Sequence, residues 1–158
     1  MKQIIIDANL MVLLVVGLTN PDLIERHKRT RKVFQKEDLD LLKKVLSGFD
    51  QILLTPHILT ETSNLVSQIG EPAISQVRIT LSKLLQSIEE TFDPSVEVVK
   101  HQSYVRLGLT DCSILRLMGK SVTLLTADLS LFLDAAKSNP NAINFNYLRQ
   151  ERLMDFTG

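Results

Sequence analysis

The sequence lacks the features that mark several common protein classes. Its single cysteine, Cys112, excludes an internal disulfide framework and fits a reducing compartment. The chain has no tryptophan, and aromatic residues make up only 5% of it, so few side chains are available to stack on nucleic-acid bases. Only 6 glycines and 5 prolines occur among 158 residues, of which 44% are hydrophobic. This composition favours one compact domain over residues 1–158 and argues against disorder.

Long hydrophobic runs are also missing. The longest runs from Leu10 to Val16, far short of the roughly 20 residues that cross a bilayer. Asp7 interrupts the apolar stretch near the N-terminus, and no small-residue cleavage pattern follows it, which argues against a secretory signal. We therefore expect a cytoplasmic protein that does not associate with a membrane.

The chain has no net charge, because 18 basic and 18 acidic residues balance, but the basic residues are unevenly placed. Six of them fall within the segment RHKRTRKVFQK: Arg26, Lys28, Arg29, Arg31, Lys32 and Lys36. Such a cluster can neutralise the phosphates of a nucleic acid, or it can be a solvated loop or helix face. Both interpretations stay open at this point.

Short apolar runs alternate with helical patterns along the chain. Strands are predicted at residues 3–6, 51–54, 121–125 and 142–145. Helices are predicted at 9–16, at 37–49, after Thr55 as N-cap, at 72–91, after Thr110 as N-cap and after Asp128, while 95–106 fit either a strand or a helix. Each strand is too uniformly apolar to have a solvated face. The pattern predicts a three-layer α/β/α domain with a central, mostly parallel sheet of four to five strands.

Four acidic residues fall where such a sheet would bind a ligand, beyond the carboxyl ends of its strands. Asp7 directly follows the first strand, and Asp128 follows the third after two small residues. Glu61 lies in the helix after the second strand, and Asp111 lies in the first turn of the helix that leads into the third. Taken singly, the aspartates are explained by a turn, a helix N-terminus or a helix cap.

Glu61 is harder to explain as a structural residue. It lies among Ile58, Leu59 and Leu65, in a segment expected to face the sheet, where an unpaired carboxylate is costly. No lysine or arginine adjoins any of the four acids in sequence, so their meeting would leave several negative charges without a cationic partner. Oxygen ligands of this kind suit Mg²⁺ or Mn²⁺, and the shortage of cysteine and histidine argues against zinc.

The segments that carry these acids resemble a known family. IIIDAN, LTPHILTETSNLV, LGLTDCSILRL and LLTADLSLF occur in the order and approximate spacing of the PIN-domain ribonucleases, which include the VapC-type toxins of bacterial toxin–antitoxin pairs. The resemblance spans residues 3 to about 145. It implies that Asp7, Glu61, Asp111 and Asp128 form a catalytic metal site. It also implies that Asn9 and Thr126 orient the acids, with Thr126 directing Asp128 from the strand.

The resemblance further implies the activity of an endoribonuclease that uses one or two Mg²⁺ or Mn²⁺ ions. Three aspartates would hold an ion, Glu61 would hold and polarise the attacking water, and the products would carry 5′-phosphate and 3′-hydroxyl ends. Residues 18–36 are the excess over compact members of the family. Within this insertion the candidate RNA contacts are Arg26, Lys28, Arg29, Arg31 and Lys32. The three histidines, His27, His57 and His101, lie outside the acidic motifs, although His57 is close enough in its helix to line the cleft.

Several alternatives stay open. A toxin held by an antitoxin, which would insert a basic side chain into the acidic pocket, and a stand-alone RNA-processing nuclease would share one active site. We expect a homodimer, and residues 146–158 either close the fold as a short helix or form an oligomer contact.

Other classes predict different residues at these positions. A receiver-type signalling domain would show paired acids after the first strand and a lysine near Asp128. A phosphohydrolase with a nucleophilic aspartate would carry an acid in place of Asn9. A catalytically silent RNA- or partner-binding PIN domain would bind metal without cleaving RNA.

Overall fold

A parallel sheet of five strands forms the centre of the fold. The computed structural model describes residues 1–119 and 121–157. The strands are β1 Gln3–Ile6, β2 Gln51–Leu54, β3 Glu89–Glu90, β4 Val122–Thr126 and β5 Ala142–Asn144. Their order across the sheet is β3-β2-β1-β4-β5, and each pair of neighbours runs parallel. The predicted three-layer α/β/α class with its parallel sheet is thereby confirmed.

Helices flank this sheet. In the described part of the chain they are α1 Ala8–Thr19, α2 Lys36–Leu46, α3 Pro56–Val66, α4 Ala73–Leu85, α5 Ser95–Val98, α6 Tyr104–Leu107, α7 Leu109–Leu117, α8 Leu129–Ala136 and α9 Phe145–Thr157, with a 3₁₀ turn at Pro21–Glu25. A membrane span would need a longer and more apolar helix than any of these.

Helix α1 lies in the core, as its uniformly apolar sequence predicts. Residues 10–16 of this helix are all buried, and the helix packs against α2, α3 and α4. The close approach of α2 requires Gly17, because a Cβ atom at that position would lie 2.6 Å from a methyl carbon of Leu39. Asp7 caps the start of α1 at the end of β1. Burial of the helix therefore holds Asp7 in place relative to the sheet.

Three predicted elements differ in the structure. The helix predicted over residues 72–91 ends at Leu85, and Glu89–Glu90 form an additional short strand. Residues 95–106 form two single helical turns, α5 and the start of α6. In place of a short helix, residues 146–157 belong to α9, a helix of 13 residues, and Gly158 is outside the described residues.

The cap of α7 also differs from the prediction. Gly108, not Thr110, occupies the N-cap position, with a φ of 89°. A positive φ of this size favours glycine, because a Cβ atom would be strained there. The chain turns sharply at Gly108 between α6 and α7, and this turn brings Asp111 into the first turn of α7 at the edge of the sheet.

Candidate functional site

A cleft lies at the carboxyl ends of β1 and β4, the neighbouring strands at which the strand order reverses. It has a volume of about 270 Å³. Its lining includes all four predicted acids, together with Asn9 and Arg29: Asp7, Asn9, Arg29, Glu61, Asp111 and Asp128. Cavities of about 630 and 740 Å³ exist elsewhere on the surface, but neither is lined by these acids. We call the cavity of about 270 Å³ the acid cleft.

Asp7 is the most firmly held residue of the acid cleft. One carboxylate oxygen accepts a hydrogen bond of 2.9 Å from the backbone N–H of Leu10 and so caps α1. The other accepts from the hydroxyl of Thr126 and, at 3.1 Å, from the backbone N–H of Ala127. Burial raises the pKa of the Asp7 carboxyl, although these hydrogen bonds oppose the shift. Asp7 therefore joins β1, α1 and the end of β4 at one point.

Thr126 connects two of the acids, though not as the resemblance predicts. Its hydroxyl donates to the carboxylate of Asp7 and accepts a hydrogen bond of 2.9 Å from the backbone N–H of Asp128. The side chain of Asp128 instead caps α8, because it accepts a hydrogen bond of 3.0 Å from the N–H of Leu131. Thr126 thus orients Asp7 directly and Asp128 only through its backbone.

The pKa of Asp111 reflects both its burial and the negative charge of the acid cleft. Its pKa is raised from 3.8 to about 7, first by burial and then by repulsion from Asp128, Asp7 and Glu61. Its carboxylate accepts no hydrogen bond from the described residues, in contrast to Asp7 and Asp128. Near neutral pH, this group is therefore divided between its protonated and its charged form. A nearby cation would shift it towards the charged form.

Glu61 is exposed, where the sequence predicts a carboxylate facing the sheet. The residues of α3 that face the core are Ile58, Thr62 and Val66, while Glu61 is exposed at the rim of the acid cleft. The expectation of a buried carboxylate at this position was wrong. The side chain is exposed to solvent, so it needs no protein partner to offset burial.

His57 lies beside the acid cleft but does not line it. It faces a neighbouring cavity of about 390 Å³, which shares Glu61 with the acid cleft. Its Nε2 atom lies 2.8 Å from the hydroxyl oxygen of Ser95. His57 is therefore near the acid cleft, as its place in the helix indicates, but it lines the neighbouring cavity.

A cation that the sequence did not predict is present in the acid cleft. Arg29, which is 22 positions from Asp7 along the chain, lines the cavity, and its Nε atom donates a hydrogen bond of 3.1 Å to Oδ1 of Asn9. The expectation of acids with no cationic residue near them was wrong for this reason. Asn9, predicted to orient the acids, holds Arg29 instead. The signal in the sequence was the basic segment itself, but its spacing did not show which residue turns inwards.

The rest of the basic segment is held by two buried side chains. The Nε2 atom of His27 lies 3.0 Å from the carbonyl oxygen of Val66, and the hydroxyl of Thr30 donates to the carbonyl of Ile24 at 2.7 Å. Burial lowers the pKa of His27, which keeps its ring neutral. The segment is thus a defined loop of turns between the 3₁₀ turn and α2.

The remaining predicted RNA contacts point in other directions. Arg26 and Lys28 line the open cavity of about 740 Å³, together with residues 67–70. Arg31 and Lys32 are exposed, and Lys36 pairs with Asp22. The basic residues consequently do not form a single patch, and among them only Arg29 lies in the acid cleft.

The donor atoms of the acid cleft fit a hard divalent cation in chemistry and in charge. Four carboxylates supply oxygen ligands of the type that Mg²⁺ and Mn²⁺ prefer, and burial together with repulsion from the other three acids raises the pKa of Asp111. Within residues 1–119 and 121–157, however, no three acidic, histidine or cysteine side chains are already grouped as they would be around an ion. Grouping these acids around an ion would require side chains to move; Glu61 and Asp128 are both exposed, and Asp128 is also held by its cap on α8.

Comparisons of the chain with protein-family models, curated proteins and solved structures found no match. The functional assignment therefore depends on the residues of the acid cleft and on their surroundings.

Proposed function

We propose that the protein is a metal-dependent endoribonuclease of the PIN type that cleaves RNA at the acid cleft. The proposal depends chiefly on one observation: the four carboxylates converge on one cavity, and their mutual repulsion contributes to raising the pKa of Asp111 to about 7. Carboxylates that converge on one cavity, with Asp7 buried and Asp111 half-buried among them, favour binding of a divalent ion.

The acids would divide the work according to their surroundings. Asp7, Asp111 and Asp128 would hold Mg²⁺ or Mn²⁺, and Asp7 is the most rigid of them because three donors fix its carboxylate. When bound, the ion would supply an activated water and a positive charge beside the scissile phosphate. Glu61 is exposed at the rim, where it has room to orient the attacking water and accept its proton. Breaking the bond between phosphorus and the 3′ oxygen would leave 5′-phosphate and 3′-hydroxyl ends.

RNA is the substrate class that the charge distribution favours. The acid cleft contains an arginine as well as carboxylates, and further basic residues line a wider cavity elsewhere on the same loop. Basic side chains can follow the phosphates of an accessible single strand without reading its bases. Cys112 is a buried free thiol, as expected in the reducing cytoplasm, where we propose that the enzyme acts.

The biological role that we propose is that of a toxin controlled by an antitoxin; a stand-alone RNA-processing enzyme would use the same site. An antitoxin would inhibit by inserting a basic side chain into the acid cleft, where Arg29 already lies. We further propose that the chain forms a homodimer, which light scattering on the purified protein would test.

The experiment that tests the proposed function measures cleavage of an end-labelled RNA. Wild-type protein with Mg²⁺ or Mn²⁺ should cleave it, and chelator should stop cleavage. Asp111→Asn should lower the rate by more than about a hundredfold, because even groups that only support a metal ligand typically contribute about 10–100-fold. Asp111 is the most informative position, since its carboxylate is not used to cap a helix. Asp7→Asn should cause a similar loss.

Two further measurements complete this test. Asp40→Asn removes an exposed carboxylate from α2 and should leave cleavage unchanged. Titration with Mn²⁺ should show binding to wild-type protein and to Asp40→Asn, and weaker binding to Asp111→Asn. Undiminished cleavage by Asp111→Asn would contradict the assigned site, and Mn²⁺ binding without cleavage of any RNA would favour the catalytically silent alternative.

A further inference from the structure

The side chain of Arg29 is held at one end and free at the other. Its Nε atom donates to Asn9, and the backbone N–H of Arg29 donates to Nδ1 of His27 at 3.1 Å. His27 and Thr30 on either side are fully buried, so the backbone that carries Arg29 is fixed. In the described residues, neither terminal Nη group of Arg29 has a protein partner. The guanidinium is therefore anchored at Nε, while its terminal groups are exposed to solvent and to a ligand in the cleft.

Arg29 does not neutralise the acid cleft that it lines. Other arginines and lysines of the described residues form ion pairs with carboxylates, but none of these pairs includes Arg29. An arginine drawn into the cleft to balance its charge would contact the acids directly. Asn9, a neutral acceptor, holds it instead at the wall of the cleft. Its positive charge remains available to a ligand.

We propose that Arg29 binds the phosphate of RNA that enters the acid cleft. Two parallel N–H groups of a guanidinium match two oxygens of a phosphate, and this contact is charge-assisted. Four carboxylates alone would repel a phosphodiester, so a positive group on the wall of the same cavity would add to the attraction of a bound ion for the phosphate. The inference rests on the proposed ribonuclease function and adds to it the residue that recognises the substrate's phosphate. Asn9 is then a positioning residue for Arg29.

The test separates binding of RNA from its cleavage. A short fluorescent RNA is titrated, in Mg²⁺, with Asp111→Asn protein and with the same protein carrying Arg29→Ala, at several salt concentrations. Loss of one charge-assisted contact should weaken binding about tenfold. The slope of log affinity against log salt should fall by about 0.7, the value for one phosphate contact on a single strand. Arg29→Lys should recover the salt slope but only part of the affinity, since lysine keeps the positive charge but lacks the two parallel N–H groups of the guanidinium.

Further measurements separate this role from others. In a cleavage-competent background, Arg29→Ala should raise KM about tenfold and lower kcat less, and Asn9→Ala should shift KM in the same direction by a smaller factor. Mn²⁺ affinity should not change. Lys83→Ala is the matched control, because it removes an exposed positive charge near the end of α4, on the side of the sheet where β3 begins.

Distinct outcomes overturn this inference and the proposed function. If wild-type protein cleaves RNA and Arg29→Ala leaves KM, affinity and salt slope unchanged, the inference fails and the ribonuclease stands. If Arg29→Ala tightens Mn²⁺ binding and accelerates cleavage, Arg29 is an internal competitor of the metal, which also overturns the inference. If wild-type protein neither binds nor cleaves RNA, both fail.

Discussion

The carboxylates of the acid cleft and the carboxylate between α2 and α9 have opposite surroundings: the first lie among other acids, and the second is paired with arginines. In the acid cleft four carboxylates share one cavity, and the single arginine among them forms no ion pair in the described residues. Asp38 of α2 is a fully buried carboxylate that contacts two arginines of α9, Arg149 at 3.0 Å and Arg152 at 2.9 Å. It also accepts a hydrogen bond of 2.8 Å from the N–H of Gln35.

The difference indicates which charges belong to the fold and which are available for function. Around Asp38 the negative charge is balanced within the protein, and Arg149 also lies over the ring of Phe34, 5.5 Å from its centroid. The ion pairs of Asp38 with Arg149 and Arg152 hold α9 against α2. In the acid cleft no ion pair among the described residues balances the four carboxylates, which is the feature that the proposed metal site depends on. Unbalanced charge at the edge of a parallel sheet is therefore the stronger sign of a functional site.

The largest effect on stability should come from removing the carboxylate of Asp38, which pairs with two arginines. Asp38→Ala would leave Arg149 and Arg152 without their carboxylate and remove part of the cap of α2, at a cost of about 3–5 kcal/mol in the free energy of unfolding. Chemical denaturation followed by circular dichroism measures this. Asp40→Ala, at an exposed position of the same helix, should change stability by less than about 0.5 kcal/mol. Equal stability of the two variants would contradict the role given to Asp38.

A smaller change in stability should follow from removing the charge of Asp111 in the acid cleft. Because the pKa of Asp111 is raised from 3.8 to about 7, the folded protein binds its proton more tightly than the unfolded chain does. The resulting stabilisation is fully present below about pH 4 and is lost as the pH rises to about 7. Asp111→Asn cannot ionise, so it should gain stability relative to wild type across this range. The gain should reach about 1–2 kcal/mol, reduced by solvent screening of a partly exposed group.

Unfolding of both proteins in chelator at pH 4.5, 6 and 8 measures this gain. The chelator matters because a bound divalent ion would relieve the same repulsion and mask the difference. Parallel stability profiles for the two proteins would show that the other acids do not act on Asp111, and the acid cleft would then lack the charge coupling that supports a metal site.

The smallest effect on stability is expected at Glu61. Since its side chain is exposed and faces away from the core, Glu61→Gln should change the free energy of unfolding by no more than about 0.5 kcal/mol. RNA cleavage should nevertheless fall about tenfold or more if Glu61 orients the attacking water. Full activity in Glu61→Gln would reduce the site to the three aspartates. The matched control is Glu71→Gln, another exposed glutamate, which lies outside the acid cleft.

Much of the fold followed from the pattern of apolar residues. The four strands and the helix that follows Thr55 were predicted correctly because each combines an apolar run with clear turn or cap residues. Strand β3 was missed because it has only two residues, both exposed glutamates, and because the helical stripe before it continues to Ile88. Gly108 was missed as a cap because its role depends on a positive φ, which spacing does not reveal.

The acids were predictable for a different reason from the one that places Arg29. The order of residues was enough to place aspartates directly after β1 and β4 and before a helix, and parallel strands bring such positions to one edge of a sheet. The exposure of Glu61 and the approach of Arg29 to the acid cleft follow from the packing of the folded chain instead. The path of the basic loop depends on burying His27 against the carbonyl of Val66, 39 residues away, and Thr30 against the nearby carbonyl of Ile24. Periodicity reports which face of a local element is buried, but it carries no information about the partner that a loop side chain meets across the fold.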